Sequence, residues 1–110
     1  MDFNAYYADL ESQLLTLVKK RFRKYREATM DDVTEYLRLS KGRLQDYARL
    51  LETGTITQDE QEFLSQALKE NALLFSLKES GRSAIAMKRF AESVVSLSLE
   101  LALVYVVKGI

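Results

Sequence analysis

Hydrophobic residues recur at helical spacing along most of the chain, and the pattern predicts four helical segments. The first segment runs from about Phe3 to Glu27, and its apolar positions lie alternately four and three residues apart: Phe3, Tyr7, Leu10, Leu14 and Leu17. The second runs from Thr29 to Thr53 with the same alternation: Val33, Leu37, Ser40, Leu44, Tyr47 and Leu51. Such spacing places the residues along one side of a helix, where they pack lengthwise against a neighbouring helix.

Capping residues predict where these segments begin and end. Thr29 is followed three residues later by Asp32, and Thr57 is followed three residues later by Glu60. In such a pair each side chain can bond a free backbone amide of the first turn. Gly54 follows the second segment and can adopt the left-handed conformation that ends a helix. We therefore expect connections at 28–29 and 53–56, and a third segment that begins at Thr57.

The third segment ends at about Ser80 and Gly81, and its apolar side carries one polar residue at the centre, Asn71. A polar residue among apolar contacts can fix the register of two packed helices at some cost in stability. We regard this role and an exposed position on a narrower apolar side as equally good interpretations of Asn71.

The last segment, from Ser83 to about Lys108, is apolar around most of its circumference. Such a helix is typically the centre of a bundle or a contact between copies. The residues predicted for that contact are Phe90, Val94, Leu97, Leu101 and Tyr105. From Val95 to Val107 apolar residues also alternate as in a strand, but a single strand in a helical chain would leave its backbone groups unpaired. The predicted fold is therefore an all-α bundle of three or four long helices, formed as one domain by residues 1–110.

Composition narrows the function. The 110 residues include no Cys, His or Pro, and 16 basic residues balance 16 acidic ones. Without Cys and His the usual metal ligands and the commonest general base are missing, so we expect no enzyme, metal or cofactor. The N-terminus lacks a secretory pattern, and the apolar run of residues 94–107 is shorter than the roughly 20 residues that cross a bilayer. These features favour a cytoplasmic protein that does not contact a membrane.

A basic run ends the first predicted helix and is a candidate contact for an acidic partner or nucleic acid: Lys19, Lys20, Arg23, Lys24 and Arg26. Cations at the end of a helix also offset its dipole, so a solvated face explains the same residues. The chain has no net charge that would attract nucleic acid.

Residues 32–51 read DVTEYLRLSKGRLQDYARLL and resemble the helix-turn-helix pattern of DNA-binding proteins. The resemblance places Leu39 and Ser40 in the turn and exposes Arg43 and Arg49 on the second helix, where they would contact base edges. It covers about 20 residues, and Arg38 stands near the turn where the family favours Gly. One unbroken helix accounts for the same apolar positions.

The sequence thus predicts a non-enzymatic helical bundle that acts through self-assembly or protein-partner binding, as an adaptor, a structural subunit or a regulator. The alternative is a DNA-binding regulator that reads bases with residues 38–49 and holds the phosphate backbone with residues 19–26.

Overall fold

Four helices account for 91 of the 98 residues that the structure describes. The structure is a computed structural model that describes residues 1–21, 26–76 and 84–109. Its helices are α1 (Phe3–Arg21), α2 (Arg26–Thr53), α3 (Gln58–Ser76) and α4 (Ala84–Lys108). The described ranges contain no strand, so the alternation within the last segment belongs to a helix. The predicted all-α bundle is confirmed.

The connection between α2 and α3 has the predicted capping geometry at both ends. Gly54 has a φ of +64°, and its amide donates to the Leu51 carbonyl at 3.2 Å while the Thr55 amide donates to the Leu50 carbonyl at 3.1 Å. This pair of bonds is the Schellman ending of a helix. At the start of α3 the Glu60 amide donates to Thr57 Oγ1 at 3.1 Å, and the Thr57 amide donates to Glu60 Oε1 at 3.2 Å. Both predicted helix ends are confirmed.

The predicted boundary between the first two helices is wrong. α2 begins at Arg26, so Ala28 and Thr29 lie inside the helix and do not form a connection. Arg26, Glu27 and Ala28 are favourable helix residues, and the helix continues through them despite the capping signature at Thr29. The predicted helix ends at Ser80 and Ser83 lie outside the described residues.

α4 packs against all three other helices, as does α2, while α1 and α3 lie on opposite sides of this pair. The fully buried large apolar side chains come from all four helices: Tyr6, Leu10, Leu14, Val18, Leu37, Leu44, Leu68, Met87 and Val94. The prediction for the apolar C-terminal helix was the centre of the bundle or a contact between copies, and in the structure α4 shares the centre with α2. α2 and α3 run antiparallel, since Ser40 contacts Asn71 while Arg43, further along α2, contacts Phe63, which precedes Asn71 on α3.

Candidate interaction surfaces

A buried set of hydroxyl groups joins α1, α2 and α4 in the core. The Tyr6 hydroxyl donates to the backbone carbonyl of Ser98 at 2.7 Å. Ser98 Oγ donates to the Val94 carbonyl at 2.8 Å and lies 2.9 Å from the Tyr36 hydroxyl. Because a serine hydroxyl has one hydrogen, Tyr36 must be the donor in its bond with Ser98. Two tyrosines from two helices therefore hold one residue of α4.

The same network extends to α3. The Asn71 side-chain amide donates to Ser40 Oγ at 3.1 Å, and the Ser40 hydroxyl is in turn hydrogen-bonded to Tyr36. Asn71 is half-buried, and Ser40 is fully buried. The contact places Asn71 against α2, in the position that a register-fixing role requires.

Burial dominates the ionisation of the tyrosine hydroxyls in this network. It raises the pKa of Tyr36 to about 12, although the hydrogen bonds that Tyr36 shares with Ser98 and Ser40 act in the opposite direction. Burial also raises the pKa of Tyr6 strongly. Every buried side-chain oxygen and nitrogen in the described residues has a hydrogen-bond partner. The hydroxyls are thus neutral groups that position helices. Tyr6 and Ser98 were not among the predicted functional residues, because their pairing joins residues far apart in the chain.

The residues predicted for a contact between copies lie mostly inside the bundle. Phe90, Val94 and Leu101 are buried in the core of their own chain. Leu97 and Tyr105 are half-buried, and the Tyr105 hydroxyl donates to Asp9 Oδ2 at 2.9 Å. The first three are therefore not part of the surface, because the neighbouring helices already cover that side of α4.

Other apolar residues of α4 are exposed near its C-terminal end. Leu103, Val104 and Val107 are 49%, 41% and 76% exposed, and together they form the surface that we call the α4 patch. Exposed Glu100 precedes the patch and exposed Lys108 follows it. In the described part of the chain neither of these charged residues forms an ion pair. Glu100, Leu103, Val104 and Val107 have the spacing that places residues on one side of a helix.

The helical stretch Met87–Lys108 is also long and apolar enough to cross a bilayer. A third of its residues are buried within the bundle, and a core helix meets the same criterion. Tyr6 and Tyr36 bond this stretch at Ser98. Length and composition alone therefore do not separate a membrane segment from the central helix of a bundle.

A groove of about 440 Å³ runs between α2 and α3. We call it the α2–α3 groove, and its lining residues are Arg43, Asp46, Arg49, Leu50, Asp59, Glu60, Phe63 and Leu64. Phe63 is 61% exposed, although the Arg43 guanidinium lies 5.2 Å from the centre of its ring in a cation–π contact. Arg49 forms an exposed ion pair with Asp46 at 3.1 Å. The groove combines an apolar floor with charges of both signs. Arg43 and Arg49 were among the predicted contact residues, whereas the groove itself was not predicted.

The structure places the candidate basic residues on separate parts of the molecule. Lys19 and Lys20 are exposed at the end of α1, and Arg43 and Arg49 are exposed on α2. Arg23 and Lys24 lie outside the described residues, as does the side chain of Arg26. Whether the basic run contacts an acidic partner stays a prediction.

The turn required by the helix-turn-helix resemblance is absent. α2 is continuous from Arg26 to Thr53, and it passes through Leu39 and Ser40 as regular helix. The Ser40 side chain is buried and accepts a hydrogen bond from Asn71, so Ser40 does not cap a separate recognition helix. The prediction of one unbroken helix is confirmed, and the predicted turn is wrong.

Comparisons add no further information on function. The chain matches no protein-family model, no curated protein and no solved structure. Among the described residues, no group of three or more acidic side chains is arranged to hold a metal ion. The exposed surfaces of the bundle are consequently the remaining evidence on function.

Proposed function

We propose that this protein is a non-enzymatic helical bundle that acts through self-assembly, and that the α4 patch is the surface by which copies associate. The observation that carries the proposal is the exposure of Leu103, Val104 and Val107 on a helix whose opposite side forms the core. Exposed clusters of aliphatic side chains are typical of interaction sites. Complete burial of one such side chain contributes about 1.5–3 kcal/mol, so covering the patch supplies a driving force for association.

The position of α4 in the bundle supports a protein contact over insertion into a bilayer. Tyr6 and Tyr36 both donate hydrogen bonds to Ser98, halfway along the apolar stretch. Moving α4 into lipid would break these bonds and leave the tyrosine hydroxyls to find new partners. Exposed Glu100 also lies near the middle of the apolar stretch, and charged residues at the centre of a bilayer are costly.

Glutamate substitutions in the patch test the proposal. Val107→Glu and Leu103→Glu place a charge where association requires apolar contact, so both are expected to shift the protein toward monomer. Both positions are exposed, so the folded monomer tolerates the charge. The measurement is the mass in solution by size-exclusion chromatography with light scattering, with helix content checked by circular dichroism.

Ile85→Glu is the matched control, because Ile85 is an aliphatic residue of the same helix and is 68% exposed. It lies about 33 Å from Val107 along the helix axis, given a rise of about 1.5 Å per residue. This variant is expected to associate like the wild type. Equal association of all four proteins would contradict the proposal. A wild type that stays monomeric in solution but binds phospholipid vesicles, with binding lost in Val107→Glu, would favour a membrane contact instead.

A further inference from the structure

The α2–α3 groove and the α4 patch have matching lengths. Arg43 and Leu50 mark the two ends of the groove on α2, and positions seven residues apart on a helix are separated by about 10 Å along its axis. On α4 the patch with its two flanking charges extends from Glu100 to Lys108, which is about 12 Å of helix. The groove is therefore about as long as two turns of a helix.

The two surfaces also each have an apolar part, which in the groove lies among five charged residues. The groove presents Leu50, Leu64 and the exposed ring of Phe63, and the patch presents only aliphatic side chains. An aromatic ring contributes a large apolar area to a contact, yet most of the Phe63 ring surface is exposed in the isolated bundle. Aliphatic side chains of a helix laid in a groove are a recurring mode of recognition between proteins.

The charges at the two ends of each surface are complementary. Arg43 lies at one end of the groove, and Asp59 and Glu60 lie at the other, where α3 begins. The two remaining charged residues of the lining, Asp46 and Arg49, pair with each other and offset one another. On the patch, Glu100 precedes the apolar residues and Lys108 follows them. Glu100 faces Arg43 and Lys108 faces the acidic end when α4 lies in the groove with the same direction as α2. Complementary charges of this kind fix the orientation of a contact.

We infer that the α4 patch of one copy docks in the α2–α3 groove of a second copy, so that the protein assembles head to tail. The inference rests on the proposed self-assembly and identifies the surface that receives the patch. Because patch and groove belong to different helices, each copy can place its patch in the groove of one neighbour and receive the patch of another neighbour in its own groove. Contacts of this type continue into a filament unless the rotation between copies closes a ring.

Two variants with complementary defects test the inference. Val107→Glu disables the patch and retains the groove, and Phe63→Glu disables the groove and retains the patch. Both side chains are exposed in the monomer, so neither change disturbs the core. Each variant alone is expected to remain monomeric at a concentration at which the wild type associates. An equimolar mixture is expected to form a dimer of one copy of each, measured by light scattering.

Gln66→Glu is the control for Phe63→Glu, because it adds the same charge to an exposed position of α3 outside the groove. It is expected to associate like the wild type. If Phe63→Glu associates normally while Val107→Glu does not, the groove is not the receiving surface, although the α4 patch still mediates assembly. Two monomeric variants whose mixture stays monomeric would also overturn the head-to-tail contact, and a monomeric wild type would overturn the proposed function itself.

Discussion

Removing the Ser98 hydroxyl is expected to destabilise the bundle more than a serine-to-alanine change usually does. Ser98→Ala leaves the Tyr36 hydroxyl in the core without the acceptor that lies 2.9 Å away. A buried donor that loses its partner costs about 1–3 kcal/mol, because it has also been removed from water. The Tyr6 hydroxyl donates to the backbone carbonyl of Ser98, so this bond survives the change. We therefore expect the free energy of unfolding to fall by about 2 kcal/mol.

Tyr36→Phe removes the other member of the pair, and it also removes the partner of Ser40. We expect a loss of similar size, about 1–3 kcal/mol. In the double variant both partners are apolar and no donor is stranded between them, so the combined loss is expected to be smaller than the sum of the single losses. When two residues share a hydrogen bond, the effect of substituting both typically differs from the sum of the single effects by about 0.5–3 kcal/mol.

The assay is urea unfolding of the wild type, the two single variants and the double variant, followed by circular dichroism. The free energy of unfolding must fall with urea concentration at the same slope in all four proteins, so that their midpoints report stability. Ser96→Ala is the matched control, because Ser96 is an exposed serine two residues before Ser98 on the same helix. It is expected to change stability by less than about 0.5 kcal/mol. Additive losses in the double variant, or a Ser98→Ala cost no larger than that of the control, would refute the account of the network.

Two further predictions concern pH and nucleic acid. Burial raises the pKa of Tyr36 to about 12 from the ordinary value of 10.0. The contribution of neutral Tyr36 to the stability of the fold is therefore fully present below pH 10 and is lost as the pH rises toward 12. A hundredfold difference in the acidity of Tyr36 between the folded and unfolded states corresponds to roughly 3 kcal/mol of stability. A urea midpoint that does not move between about pH 9 and 12 would contradict this prediction. For duplex DNA we expect no dissociation constant below about 10⁻⁵ M at physiological salt. Nanomolar binding whose salt dependence weakens in a Lys19→Ala, Lys20→Ala variant, measured by titration at two salt concentrations, would favour the DNA-binding alternative.

The features that could be predicted from the sequence are those that depend on neighbouring residues. Thr57 and Glu60 are three residues apart, and their mutual bonds need only the local helix. Gly54 ends α2 because its own backbone tolerates a positive φ. The start of α2 could not be predicted in the same way. A capping pair at Thr29 is compatible with a helix interior, and residues upstream of it also favour helix.

The interaction surfaces were harder to predict because they depend on contacts between distant parts of the chain. Apolar periodicity identifies the buried side of α4 but does not say whether the same chain or a second copy covers it. Phe90 and Leu101 are covered by the same chain, and Val107 is left exposed. Ser98 lies among apolar residues in the sequence, and its role depends on a tyrosine 92 positions away.

The concentration dependence of the mass of the wild-type protein tests the central claim most directly. Sedimentation velocity at increasing concentration is expected to show a mass that rises above the 12.7 kDa of one chain. With head-to-tail contacts the rise continues beyond the dimer unless the assembly closes into a ring. A mass that stays at 12.7 kDa up to about 1 mM would contradict the account, since any association would then contribute less than about 4 kcal/mol.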